Sequence, residues 1–169
     1  MSLFKRIRNI VAKPEPPREE RSILTVGPGD VCEVSLVTYQ ITGRTLNPRR
    51  NQIVLTLQDG SAIRYLSIEE REHSDYELYT PIDGRLDSVE EVPTSIELDG
   101  RMYHLEEQYS GFIQTMGRTP FQQGGEQYVW RFQSDDRKLL RIEWQDGRFM
   151  LYEGEDVLPA DVRILRGGG

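Results

Sequence analysis

His73, His104 and Cys32 are the side chains of this 169-residue chain best suited to act as a general base, a metal ligand or a nucleophile. His73 falls in the acidic turn EEREHSDY, where exposure is expected, and His104 falls in a strand at YHLEE. Two histidines and one cysteine with no HxH or CxxC spacing do not make a zinc site, so no metal ligands are assigned. Cys32 lies in the alternating run VCEVSLV without a basic cluster to lower its pKa, which reads as a small buried core residue. The glycines of VGPGD precede a strand, whereas a phosphate-cradling loop follows one and opens a helix. No cofactor is implied.

Paired carboxylates can do acid–base work when burial raises one pKa, and pairs occur at Glu69-Glu70, Glu106-Glu107 and Asp135-Asp136. Adjacent strand residues point to opposite faces, so no such pair converges on one substrate atom. Glu69 and Glu143 are different, because they occupy matching positions in two similar segments. Either they face one another between the segments, or they pair with Arg64 and Arg141 across neighbouring strands, and the second role is preferred. Tyr128, Trp130, Phe132 and Trp144 could stack bases or sugars, but their period-two spacing reads as core. No catalytic residue is assigned. A deep pocket gathering Glu, Arg and Tyr side chains would favour an enzyme built from scattered residues, and a shallow patch would favour an adaptor.

The elements that position these residues are mostly strands. From Val26 onward, short alternating runs such as VCEVSLVTYQIT and QYVWRFQSDDRKLLRIEW are bounded by Gly, Asp, Asn and Pro. DG at Asp59-Gly60 and Asp146-Gly147 marks two tight hairpin turns. LTLQDGSAIRYLSIEEREHSDYELY aligns with WRFQSDDRKLLRIEWQDGRFMLY, matching Leu55 with Trp130, Leu57 with Phe132, Leu66 with Leu140, Ile68 with Ile142, Glu69 with Glu143 and Tyr79 with Tyr152. Upstream, Tyr39 matches Tyr103, and the second copy gains an added strand and loop within SGFIQTMGRTPFQQGG. The expected fold is mainly β: antiparallel meanders in two pseudo-repeated halves, barrel- or sandwich-like. Neither half is expected to bury its apolar face alone, so the two should pack together. The first half spans 23–80, a connector of turn formers and acids spans 81–94, the second half spans 95–166, and 167–169 form a flexible tail.

The first residues differ in character from the rest. MSLFKRIRNIVAK places Leu3, Phe4, Ile7, Ile10 and Val11 on one side of a short amphipathic helix over residues 1–13, with Lys5, Arg6 and Arg8 around the other. The proline-rich run KPEPPREER makes residues 14–22 a tether. Residues 1–13 carry four basic and no acidic side chains, which leaves 17 basic against 28 acidic residues beyond them. The basic helix is therefore expected to dock on an anionic membrane surface or a protein partner, or else to pack on the β body.

The overall balance of 21 basic and 28 acidic residues argues against nucleic acid as a partner. A single cysteine, with neither a signal core nor an 18-residue apolar span, reads as cytoplasmic, at most peripheral to the inner face of the plasma membrane. Acids flanking aromatics suit ammonium groups, so a small cation such as a polyamine is the alternative to a scaffold role.

Gly29-Asp30 with Tyr39 and Gly43, YLSIEE at 65–70, LDGRMYHLEE at 98–107 and LLRIEWQDGRFMLYEG at 139–154 resemble the bacterial DUF4178 family. The resemblance implies no site residue. It implies genomic company with phage-shock-protein A relatives and with polyamine aminopropyltransferases. SLFKRIRNIV is similar to the opening of phage-shock-protein A relatives, where an amphipathic helix touches the inner membrane.

Overall fold

A computed structural model describes residues 25–84, 86 and 88–165. The expected helix over 1–13 with its docking residues Leu3, Phe4, Lys5, Arg6, Ile7, Arg8, Ile10 and Val11, the tether 14–22 and the tail 167–169 lie outside the described residues.

Alternating apolar and polar residues produce strands wherever one face can be buried. In chain order these are β1 (Val31–Val34), β2 (Val37–Asn47), β3 (Gln52–Asp59), β4 (Ala62–Glu70), β5 (Ser74–Ile82) and β6 (Ser95–Leu98). They continue with β7 (Arg101–Phe112), β8 (Gln114–Gly117), β9 (Glu126–Ser134), β10 (Leu139–Gln145), β11 (Arg148–Val157) and β12 (Val162–Leu165). All belong to one antiparallel sheet that does not close, ordered β12-β1-β2-β3-β4-β5-β11-β10-β9-β7-β6, with β8 paired to β2. Asp146 and Gly147 turn β10 into β11 with φ of 49° and 85°, the left-handed pair that a two-residue hairpin needs. At the other DG, Asp59 is the last ladder residue, opposite Ala62, and Gly60 (φ 60°) makes the turn.

Each half is an antiparallel meander, β1 to β5 in the first and β6, β7, β9, β10 and β11 in the second. The ladders match the halves two residues away from the sequence alignment in the third strand. Leu66 and Ile68 lie opposite Leu55 and Ile53, while Leu140 and Ile142 lie opposite Phe132 and Trp130. Leu55 thus corresponds to Phe132. A two-residue slip leaves every side chain on the same face, so the apolar pattern could not reveal it.

Three boundaries differ from expectation. β5 runs through Pro81 and Ile82, which pair with Tyr152 and Leu151. The rest of the connector is no solvated loop, because Leu86, Val89 and Val92 join Ile82 against the second core at spacings of four, three and three. β12, expected in the second half, pairs with β1 and packs Val162 and Ile164 on the first core. The added strand of the second half is β8, and it too crosses, pairing Thr115 with Thr45 of β2.

The halves pack together as expected from sequence, but only partly through apolar side chains: Val54, Tyr65 and Tyr79 of the first meet Leu139, Met150 and Tyr152 of the second, while most of each apolar face is buried within its own half. Cys32, Ile41, Ile53, Leu55, Leu66 and Ile68 form one core, and Tyr103, Trp130, Phe132, Leu140 and Ile142 form another. Beside the cluster of Tyr65, Tyr79 and Tyr152, polar residues at the alternate strand positions join the halves: Gln52, Ser67, Glu69 and Glu77 from one side, and Glu107, Tyr109, Arg131, Arg141 and Glu143 from the other. Apart from Glu69, Glu143 and Arg141, the sequence marks none of these as interface positions. Here they form a polar seam.

Candidate functional site

The seam is assembled from local chain geometry on both sides. Pro48 begins a 3-10 turn over Pro48–Arg50, and Asn51 ends it in the left-handed region, φ 53°, which a short polar side chain tolerates. This turn holds Arg50 over β3. On the far side, β7 carries a bulge between Leu105 and Glu107. It reverses the alternation of the strand, so that Tyr103 and Leu105 face the second core while Glu107 and Tyr109 face the seam.

Arg50 bridges the halves. Its Nε donates to Glu69 Oε1 at 2.7 Å, its Nη2 donates to Glu107, and its guanidinium lies 3.7 Å from the Tyr109 ring centroid. Arg71 reaches the same two carboxylates at 3.1 and 3.4 Å. Deeper in the seam, the Tyr109 hydroxyl donates to Gln52 Oε1 at 3.1 Å and accepts from Gln52 Nε2 at 2.9 Å. Arg131 of β9 donates through Nε to Glu77 of β5 at 2.8 Å, and Glu77 also accepts the Tyr79 hydroxyl at 2.8 Å. Innermost, Arg141 Nε donates to Glu143 at 2.8 Å and Glu143 accepts the Tyr152 hydroxyl at 2.7 Å. Burial, then the adjacent Glu77 and Glu143, push the Tyr79 and Tyr152 hydroxyls well above their usual pKa, so both stay protonated donors.

Above this network opens a cleft of about 480 Å³. Six carboxylates line it (Glu69, Glu72, Asp75, Glu77, Glu107 and Asp156) against three guanidinium groups, from Arg50, Arg71 and Arg131. The arginines take Glu69, Glu107 and Glu77. Among the described residues, Glu72, Asp75 and Asp156 form no ion pair with an arginine. Asp75 lies opposite Glu69 in the β4–β5 ladder, and Asp156 lies opposite Glu77 in the β5–β11 ladder. Desolvation, then Glu77 beside it, raises the Asp156 carboxyl above its ordinary range in spite of Arg131.

The sequence candidates are dispersed. Glu69 and Glu143 do not face each other; each serves its own arginine. Arg141 does pair with Glu143, but along its own strand, two residues away, rather than across neighbouring strands. Arg64 pairs with neither. Five residues from Glu69 on the same strand, it points to the opposite face, and it donates to the Ile63 carbonyl at 2.9 Å. His73 stands at the mouth of the cleft, 3.4 Å from Asp75, and His104 is exposed beside Ser95. Tyr128, Trp130 and Trp144 belong to the second core. Among the described residues, no three His, Cys, Asp or Glu side chains could hold a metal ion together, and no helix is long and apolar enough to cross a membrane.

Cys32 is fully buried in the first core, and burial pushes its thiol up to about 12. In native buffer near pH 8, iodoacetamide should leave Cys32 unmodified, whereas denaturant should expose it to rapid alkylation; mass spectrometry reads both. Prompt labelling of the native chain would place the thiol outside the core.

Sequence reasoning missed Arg50, Tyr109, Glu77, Arg131 and Asp156. A usable signal existed for two of them: a charged residue sits between apolar neighbours inside an apolar strand, as Glu77 does in YELY and Arg131 in VWRF.

The described body is all-β, with a polar cleft between its two meander halves. The chain belongs to the family described as Domain of unknown function (DUF4178), which it matches over residues 27–159. No curated protein and no solved structure matches it. The motif residues that carry the likeness have structural work in this fold. Gly29 turns at φ 96°, Asp30 accepts the Gly27 N–H at 3.0 Å, Tyr39 is buried in the first core, and Gly43 lies directly under the Arg118 carbonyl.

Proposed function

We propose that this chain is a non-enzymatic binding module whose inter-half cleft takes a small cation of the polyamine type. One observation carries the reading: the cleft holds twice as many carboxylates as guanidinium groups, and its surplus lies on adjacent strands. Like charges directly opposite in a ladder are destabilising, and a bound ammonium between Asp75 and Asp156 would offset that repulsion. The Tyr109 ring is already covered by Arg50, so recognition rests on carboxylates rather than on cation–π contact.

The cleft does gather Glu, Arg and Tyr side chains, the arrangement that would favour an enzyme. Its chemistry points the other way. The deep carboxylates are held by arginines, and the tyrosines shifted by burial are held as neutral donors, so the groups left to meet a ligand are the peripheral carboxylates Glu72, Asp75 and Asp156.

Calorimetry with spermidine at low salt should show saturable binding that weakens as ionic strength rises. Asp156→Asn should weaken it roughly tenfold, about the contribution of one charge-assisted hydrogen bond. Because the Asp156 carboxyl is raised, it loses its charge at a higher pH than an ordinary aspartate, so affinity should fall on acidification while ordinary aspartates are still charged. A melting temperature and heat signal indifferent to millimolar spermidine would remove the reading.

A further inference from the structure

The same wall of side chains that bounds the acidic cleft has a second side. Arg49, Arg50, Asn51, Arg71, Tyr109 and Ser110 line a separate hollow of about 570 Å³, sharing Arg50, Arg71 and Tyr109 with the first. No carboxylate lines it, in a chain with 28 acidic residues. We propose that this hollow is an oxyanion site, built for a phosphate group.

The ion pairs of the seam account for Arg50, whose Nε and Nη2 are both engaged with carboxylates. They engage one nitrogen of Arg71 and none of Arg49. Arg71 is half exposed, and its single engaged nitrogen makes the longer contacts to Glu69 and Glu107. Arg49 is exposed and makes no hydrogen bond or ion pair among the described residues. The two arrive from different elements, the 3-10 turn after β2 and the β4–β5 turn. Two guanidinium forks converging from separate turns offer more donors than the two oxygens of one carboxylate accept and suit an oxyanion with three or more oxygens. Asn51 stiffens the site by donating its side-chain amide to the Glu70 carbonyl at 2.8 Å, tying one turn to the other. The site is independent of the cation reading, since its free donors are not among the carboxylates of the acidic cleft.

Titration of the full chain with inorganic phosphate at low chloride tests this. Saturable binding is expected, weakened roughly tenfold by Arg49→Gln and by Arg71→Gln, and unchanged by Asp156→Asn. Arg49 has no structural partner to lose, so Arg49→Gln should melt with the wild type and give a clean comparison. A phosphate group can belong to a soluble ester or to a lipid headgroup. If Arg49→Gln also loosens attachment to phosphatidylglycerol vesicles, the site takes a headgroup; if it affects phosphate alone, the site takes a soluble phosphate ester. Absence of saturable phosphate binding, or binding indifferent to both arginine substitutions, overturns the proposal.

Discussion

Replacing Arg141 with methionine lowers stability by about 3–5 kcal/mol in urea unfolding, although methionine fills much of the same volume. Arg141 is 2% exposed and Glu143 4%. Methionine leaves the Glu143 carboxylate with only the Tyr152 hydroxyl as a partner, and a buried charge deprived of its counter-ion is among the costliest single changes. The pair itself is worth much less. Arg141→Met combined with Glu143→Gln should recover most of the loss, because a neutral amide can still accept the Tyr152 hydroxyl. Arg141 also has an Nη1 without a hydrogen bond, so the wild-type arrangement is not optimised for stability alone. If the single variant unfolds at the wild-type midpoint, or the double variant is worse than the single, the seam is not the charge-balanced interior described above.

Gly43→Ala should cost about 3 kcal/mol, the upper end of overpacking penalties, through backbone collision. A Cβ at Gly43 would stand 1.7 Å from the Arg118 carbonyl oxygen, which cannot yield as a flexible side chain can. That carbonyl accepts the Thr56 hydroxyl at 2.8 Å, and the Arg118 N–H donates to the Thr42 carbonyl at 2.8 Å. The alanine therefore prises β8 from β2, the crossing that returns the second half to the first. Hydrogen exchange should show lost protection at the β8 amides, with β4 and β5 unchanged. Gly60→Ala is the contrast, because Gly60 has a positive φ but open space around it, so only the local left-handed cost of about 1–2 kcal/mol applies. Equal losses for the two variants would show that backbone conformation, and not the close approach of β8, explains Gly43.

The amino-acid sequence by itself determined the strands, the Asp146-Gly147 hairpin and the two meander halves. Each depends on local alternation and turn chemistry, which the order of residues states directly. It also determined that Cys32 and the aromatic stripe of β9 are core, because period-two apolar spacing buries one face whatever the partner. Only the tertiary structure decided the other face. Gln52, Ser67 and Arg131 read as outward-facing polar positions, and they turn inward, beside the interface candidates Glu69, Glu143 and Arg141, because the sheet brings β5 beside β11 and β8 beside β2. The partner of Arg50 is decided by the β7 bulge, where one extra residue swings Glu107 to the seam. The pairings of β8 and β12 with the first half are equally non-local. A strand pattern says that a side chain points up or down; what it meets there depends on which strand, dozens of residues away, arrives on that side.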